Sequence, residues 1–233
     1  MDVLGDAVLD YQNGNYTEDI ITFSSLHQED TIPLPYLFRN FSEMPILEQK
    51  ALQLCHGKVL DIGCGAGSHS LYLQENGLQV TALDNSKGAI ETCKLRGLKN
   101  CIYSDIYEYE HKKFDTLLLL MNGIGIVGSL KKLDYFFEHL KKLLRPEGQI
   151  LLDSSDLIYM FEEDEDGGRW MPATATYYGE LSFTMTYKAK KSNPFSWLYL
   201  DVNTLQNAAI ANHLNCEIVS VGEHFDYLAR LTL

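Results

Sequence analysis

The chain's 233 residues are 45% hydrophobic and 22% charged, with 17 glycines and 6 prolines, proportions that exclude fibrous and disordered classes and suit one compact domain with or without an appendage. At this length roughly 70–75% of the unfolded surface is buried on folding, so a single apolar core can stabilise the chain without disulfides or structural metals. A net charge of −13 disfavours a nucleic-acid partner, because phosphate neutralisation needs basic side chains, and favours a small substrate or one that is cationic at some stage.

Cys55, Cys64, Cys93, Cys101 and Cys216 occur singly with no C-x-x-C pair, so neither a zinc site nor a disulfide framework is signalled and no metal is expected. Single cysteines fit a reducing compartment. The opening residues are acidic and lack the apolar segment of a secretory signal, and the longest fully apolar stretch, Leu117–Met121, is far too short to cross a bilayer. The expectation is a soluble cytoplasmic protein with no membrane partner.

In chain order, residues 1–57 carry Pro33, Pro35 and Pro45 among many aromatics and read as an N-terminal helical cap or lid over a sheet edge. From Lys58 onward, short strand-like runs alternate with helix-spaced segments, the pattern of a parallel sheet with covering helices. Strands are expected at Lys58–Ile62, Gln79–Leu83, Asn100–Tyr103, Asp115–Met121 and Gln149–Asp153, and helices at Ser68–Asn76, Lys87–Arg96 and Leu130–Leu144. Residues 156–200 interrupt the alternation as an insertion. It holds the acidic run Glu162–Asp166, then Gly167-Gly168, then a hairpin with Leu181, Phe183, Met185 and Tyr187 on one face and Phe195, Trp197 and Tyr199 returning beyond a turn at Lys188–Pro194. The tail predicts a helix capped by Asn203 or Thr204, a strand at Glu217–Val221 and a final strand holding Ala229, Leu231 and Leu233. The last connection is too short for a parallel crossover, so the final strand is expected to be antiparallel.

The most informative stretch is VLDIGCGAGSHS at Val59–Ser70, a buried strand ending at Asp61-Ile62, a turn holding Gly63, Gly65 and Gly67, and a helix starting near Ser68. Glycine lets backbone approach a ligand with no Cβ in the way, and the unpaired N–H groups of the helix start point to the same place. The turn therefore reads as a site for a nucleotide-like ligand. A dinucleotide fingerprint would want a third glycine where Ser68 stands.

The observed D-x-G-x-G-x-G instead resembles motif I of the class I S-adenosylmethionine-dependent methyltransferases, and the likeness runs along most of residues 58–233. It implies an α/β fold: a doubly wound, Rossmann-like, seven-stranded and mostly parallel sheet in the order 3-2-1-4-5-7-6, the last-formed strand antiparallel between its neighbours. It also implies S-adenosyl-L-methionine as cofactor and S-adenosyl-L-homocysteine as product. Asp84 in VTALDNS, 21 residues beyond Gly63, matches the acid that holds both ribose hydroxyls, with Asn85 beside it. Asp105 in CIYSDIY matches the acid that accepts from the adenine amino group, and Ile106 is placed to flank the ring. LMNG at Leu120–Gly123 ends the fourth strand where the family lines the pocket, which brings in Asn122, and RPEG leads to the fifth strand. For Asp61 a bracing role beneath the turn is favoured over ligand contact, and Cys64 and His69 read as wall residues.

Methyl transfer needs the acceptor in line behind the S–CH₃ bond, and positioning can supply about 7–11 kcal/mol without a protein nucleophile. Tyr16, Tyr36 and Arg39 in the cap are candidates for covering the ligand, Arg39 by meeting the cofactor's carboxylate; plain aromatic packing is the competing reading. Tyr178, with Trp170, Tyr177 and Trp197, is a candidate acceptor wall, or else the core of the hairpin. His27 is the one histidine kept as a candidate base. No N-P-P-[YF] or D-P-P-[YF] follows the fourth strand, which lowers nucleic-acid bases and protein glutamine as acceptors and leaves a small molecule. Two other functions stand beside methyl transfer: a non-catalytic member that binds the cofactor or a partner, and an NAD-dependent oxidoreductase, which Ser68 opposes. The acceptor, a general base and the oligomeric state are left open.

Overall fold

The computed structural model describes residues 1–110, 112–161 and 177–233; His111, the acidic run at 162–166, Gly167-Gly168 and Trp170 lie outside the described residues. The first part of the chain forms α1 (Val3–Gln12), β1 (Ile20–Ser24), β2 (Glu29–Ile32), α2 (Leu34–Leu37) and α3 (Ile46–Leu54). The alternating region then gives β3 (Lys58–Ile62), α4 (Ser68–Glu75), β4 (Gln79–Asp84), α5 (Lys87–Leu95), β5 (Cys101–Tyr103), β6 (Phe114–Leu119), α6 (Leu133–Leu143) and β7 (Leu144–Ser155). Beyond it come β8 (Glu180–Tyr187), β9 (Lys190–Lys191), β10 (Phe195–Leu198), α7 (Val202–Ala211), β11 (Asn215–Val221) and β12 (Asp226–Thr232).

Seven strands form the main sheet in the order β11-β12-β7-β6-β3-β4-β5. Strands β3 to β7 run parallel, and β12 runs antiparallel to both β7 and β11, the order and polarity implied by the resemblance. Alternate residues of the central strands enter opposite layers. Leu117 and Leu119 join Phe136, Phe137 and Leu140 of α6 on one face, while Leu118 and Leu120 join Leu47, Ala51 and Leu52 of α3 on the other. Burial on both faces is why β6 reads as an unbroken apolar run. Several boundaries differ from expectation, two of them in how a helix begins. Leu130–Lys132 forms a 3₁₀ turn ahead of α6, and α7 is capped by Asp201, whose side chain accepts from the Thr204 N–H at 2.9 Å.

The N-terminal segment is not purely helical, which corrects the reading of residues 1–57 as a helical cap. The β-branched run Ile20-Ile21-Thr22 forms β1, which pairs with β2 on one side and with β8 of the insertion on the other. The resulting second sheet, β10-β8-β1-β2 with β9 on β8, joins the two segments that were expected to be separate. An isolated two-stranded hairpin is marginal in water, and pairing two of them satisfies an edge of each.

This second layer is fastened to the main domain beside the glycine turn. The Asp2 carboxylate accepts from the Gly5 N–H at 2.9 Å, the Ser86 hydroxyl at 2.9 Å and the Gly88 N–H at 3.0 Å, so one side chain closes the starts of both α1 and α5. The two helices touch through glycines, and a Cβ at Gly88 would fall 2.4 Å from the Gly5 backbone. Gly88→Ala is therefore expected to force α1 off α5 and to lower stability by about 1–3 kcal/mol. Urea denaturation checks this; an unshifted midpoint would show that the helices do not meet here.

Candidate active site

The turn after β3 takes the shape its glycines allow. Gly63, Gly65 and Gly67 have φ of 76°, 53° and 84°, left-handed values that side chains with a Cβ rarely adopt. The Gly63 and Cys64 N–H groups both donate to the Leu83 carbonyl, at 2.8 and 3.1 Å, tying the turn to β4. Gly65 faces open space: a Cβ added there meets no atom within 4 Å. Beneath the turn Asp61 is buried and accepts from the Ser70 hydroxyl at 2.6 Å, and burial raises its pKa. Cys64 is buried against Cys93, their sulfurs 3.7 Å apart, and its thiol is pushed well up by that contact and by burial.

Asp84 ends β4 directly beside the turn. Its Oδ2 accepts from the Gly65 N–H and its Oδ1 from the Ser86 N–H, both at 2.8 Å. At 6% exposure it is so far removed from water that burial pushes its pKa up to about 6 against both donors. Asn85 is exposed at the following position. On the neighbouring strand end Asp105 is exposed and caps a short 3₁₀ turn through the Tyr107 N–H at 2.9 Å. Ile106 lies in the main core cluster with Leu60, Ile62 and Leu83.

Beyond β6, Met121 and Asn122 are consecutive non-glycine residues with φ of 64° and 55°, and the Asn122 Oδ1 is buried without a hydrogen-bond partner among the described residues. Their conformation is held from β7, where Asp153 accepts from the Met121 N–H at 3.1 Å and the Gly123 N–H at 3.2 Å. The glycine-rich stretch that follows lets the second sheet come close. Trp197 packs so tightly on Gly125 that a Cβ there would lie 2.0 Å from the indole nitrogen. On the other side of the same stretch Ile126 reaches Gly63, 3.0 Å from where a Cβ would be.

A third group joins the cap to the turn. Arg39 and Glu48 form a buried ion pair through the Arg39 Nη2, 2.5 Å from one carboxylate oxygen, and His69 Nε2 lies 2.7 Å from the other. Burial pushes the Glu48 carboxyl up, but His69 and Arg39 outweigh it and hold the pKa below the usual range. The Arg39 guanidinium stacks on Tyr36 at 4.0 Å and its Nε is buried without a partner. Tyr36 and Arg39 are thus brought together. Tyr16 instead bonds Asp19 at 2.8 Å, Tyr178 bonds Asp156 at 2.7 Å, and His27 is exposed at the tip of the β1–β2 turn. Glu48 and Asp153 were missed in the sequence. Each carried a signal: Glu48 is an acid on the buried stripe of α3, and Asp153 is an acid closing an apolar strand as Asp61 and Asp84 do.

Two cavities, of about 320 and 240 Å³, lie away from this site. They open at the opposite ends of the parallel strands, around His56, Gln149 and Thr232 and around Lys58, Gln79 and Lys113. Among the described residues no group of three histidine, cysteine or acidic side chains is arranged to hold a metal ion.

A methyltransferase-domain family profile matches residues 60–152, from β3 to β7. A solved SAM-dependent methyltransferase from Bacteroides fragilis, in complex with S-adenosyl-L-homocysteine, is 45% identical and superposes with a TM-score of 0.92 over 100% of this chain and 94% of its own. The chain belongs to the SAM-dependent methyltransferases. Among curated proteins it is 31% identical over 133 residues to a ubiquinone biosynthesis O-methyltransferase of Pelagibacter ubique, covering 54% of this chain and 53% of that one. It is 25% identical over 177 residues to a carboxy-S-adenosyl-L-methionine synthase of Vibrio atlanticus, covering 71% and 65%. The match thus spans about half the length of the curated O-methyltransferase.

Within this methyltransferase the Arg39–Glu48–His69 group is buried enough for its balance of charge to matter. Glu48→Ala leaves Arg39 as an uncompensated buried cation and is expected to destabilise the protein by about 3–5 kcal/mol. Thermal and urea unfolding check it; a loss below about 1 kcal/mol would mean that solvent reaches Arg39.

Proposed function

We propose that the chain transfers a methyl group from S-adenosyl-L-methionine to a small-molecule acceptor by in-line displacement and releases S-adenosyl-L-homocysteine. The observation that carries this reading is the open face of the glycine turn at Gly65 with the Asp84 carboxylate bonded to its N–H. The relative from Bacteroides fragilis, which matches this chain end to end, was solved with the homocysteine product.

The residues present suit this cofactor. Asp84 has one lone pair free on each oxygen for the ribose hydroxyls, Asn85 stands exposed beside it, and Asp105 closes the next strand on the adenine side. The left-handed turn presents backbone rather than side chains, with Gly63, Cys64, Gly65 and Gly67 as its wall and Asp61 bracing it from below. The unpaired Arg39 Nε and Asn122 Oδ1 are a donor and an acceptor suited to the carboxylate and amino group of the methionine part. When bound, the cofactor supplies an electrophilic methyl group on a positively charged sulfur. The chain's own part is to orient the acceptor and exclude water, the task of the second sheet and of Tyr36, Arg39 and Tyr178 around the β6 and β7 ends. The acidic balance of the chain favours a small molecule over nucleic acid, and its five free cysteines favour a cytoplasmic setting. Among the described residues no helix is long and apolar enough to cross a membrane.

Calorimetry with S-adenosyl-L-homocysteine tests the placement. Asp84→Ala is expected to weaken binding by about 1–3 kcal/mol, and unchanged affinity would remove Asp84 from the site. The pH dependence has a definite sign. Hydroxyl donors favour the ionised carboxylate, so binding expels a proton from a group that titrates near 6, and affinity should rise from pH 5 to pH 7 and then level off. Asp84→Asn should abolish that slope. Product binding without turnover of labelled cofactor in a metabolite extract would favour a non-catalytic role.

A further inference from the structure

We propose that Asp153 is the group that receives the proton the acceptor gives up, and that the acceptor's nucleophile is accordingly a hydroxyl or an amine. This rests on the methyltransferase reading above.

The carboxyl is placed by the sheet itself. Leu152 of β7 pairs with Leu119 of β6, so Asp153 stands one residue past the level at which β6 ends and the Met121–Gly123 turn begins. Each of its oxygens accepts a single backbone N–H and keeps a lone pair free. Asp153 itself is half-buried, and the fully buried acids around the turn are placed for other tasks. Asp61 holds Ser70, Asp84 holds the turn and lies on the ribose side, and Glu48 holds Arg39 and His69. His69 has given its Nε2 to Glu48.

The charged and titratable groups facing Asp153 are Glu48 from α3 and His69 from α4; Tyr36 of α2 and Tyr199 beyond β10 feel its charge in turn. Burial, with the Glu48 charge adding to it, pushes the Asp153 pKa up to about 7 against the two N–H bonds and His69. The group is therefore divided between its two forms at neutral pH, the condition under which a carboxylate serves best as a base.

The step balances without a further reactant. The oxygen or nitrogen lone pair forms the bond to the methyl carbon, the C–S bond breaks with its electrons passing to sulfur, and the neutral thioether is the leaving group. The proton on the newly methylated oxygen or nitrogen passes to the Asp153 carboxylate and from there to solvent. A carboxamide at this position can still accept one N–H from the turn but cannot take that proton.

Two measurements on the full chain decide it. With S-adenosyl-L-homocysteine bound, aspartate labelled with carbon-13 at the side-chain carboxyl should show one resonance, absent from Asp153→Asn, that titrates between about 6 and 8. Ionisation complete below about 5, or absent up to about 9, would overturn the proposal whether or not an acceptor is known. With labelled S-adenosyl-L-methionine and a panel of small primary amines and phenols, Asp153→Asn should lose about 100-fold or more in kcat and the acidic limb of the pH profile, while keeping homocysteine-product affinity within about 3-fold. Turnover retained by the variant, a parallel loss of product affinity, or methylation of the panel confined to carbon would refute it. Failure of the wild-type chain to bind the product would instead overturn the methyltransferase reading itself.

Discussion

Three acids of the candidate site sit at or near the end of a parallel strand. Parallel strands all finish at the same edge of the sheet, so Asp61 on β3, Asp84 on β4 and Asp153 on β7 are gathered there by topology, though widely spaced in sequence. That edge is also where ligands bind in open α/β sheets, because the following turns leave their N–H groups facing outward. The strands arrive buried on both faces, so Asp61 and Asp84 are buried and Asp153 is half-buried whether or not a ligand is present. Backbone donors from the next turn compensate in part: Gly65 and Ser86 for Asp84, Met121 and Gly123 for Asp153.

The cover over this edge is built from both ends of the chain's departures from the βα pattern. Pairing of β1 with β8 joins a hairpin near the N-terminus to one beyond β7, and neither is stable alone. Asp2 fastens one end of this layer to α5, and Trp197 on Gly125 fastens the other to the loop after β6. The layer therefore contacts the main domain on both sides of the glycine turn. A change in it would be felt at the Asp84 and Asp153 strand ends together.

How much of this was legible in the sequence follows the range of the interactions. The glycine turn and the α4 and α5 helices were readable from local periodicity and the D-x-G-x-G-x-G spacing, and the strand order followed from the family resemblance those motifs carry. The β1–β8 pairing was not, because Ile21 and Thr186 meet across most of the chain and neither hairpin's pattern names its partner. Pro33, Pro35 and Pro45 drew attention to turns and helices and away from the β-branched run at Ile20–Thr22. Arg39 stood out in the sequence as a candidate for covering the ligand, but its pairing with Glu48 and His69 depends on how α3 and α4 pack over one sheet face. Asp153 was visible only as the end of a strand. Its consequence depends on the left-handed backbone at Met121 and Asn122, a conformation asparagine tolerates but methionine rarely adopts.

The energetics of this edge run against stability and toward function. A carboxyl whose folded pKa lies above its unfolded value costs nothing while both states are protonated, and the penalty grows as pH rises from the unfolded value through the folded one. For Asp84, raised from 3.8 to about 6, the full penalty above pH 6 is of order 3 kcal/mol, a large share of a typical domain's margin. Asp153 adds to it in the same direction between about 4 and 7. An acid already stripped of water forms stronger bonds to hydroxyl donors than one that must first be dehydrated. Replacing either acid with its amide removes that charge penalty but leaves one of its two backbone N–H donors unpaired, whereas at the Arg39–Glu48 pair removing one partner leaves a buried charge uncompensated.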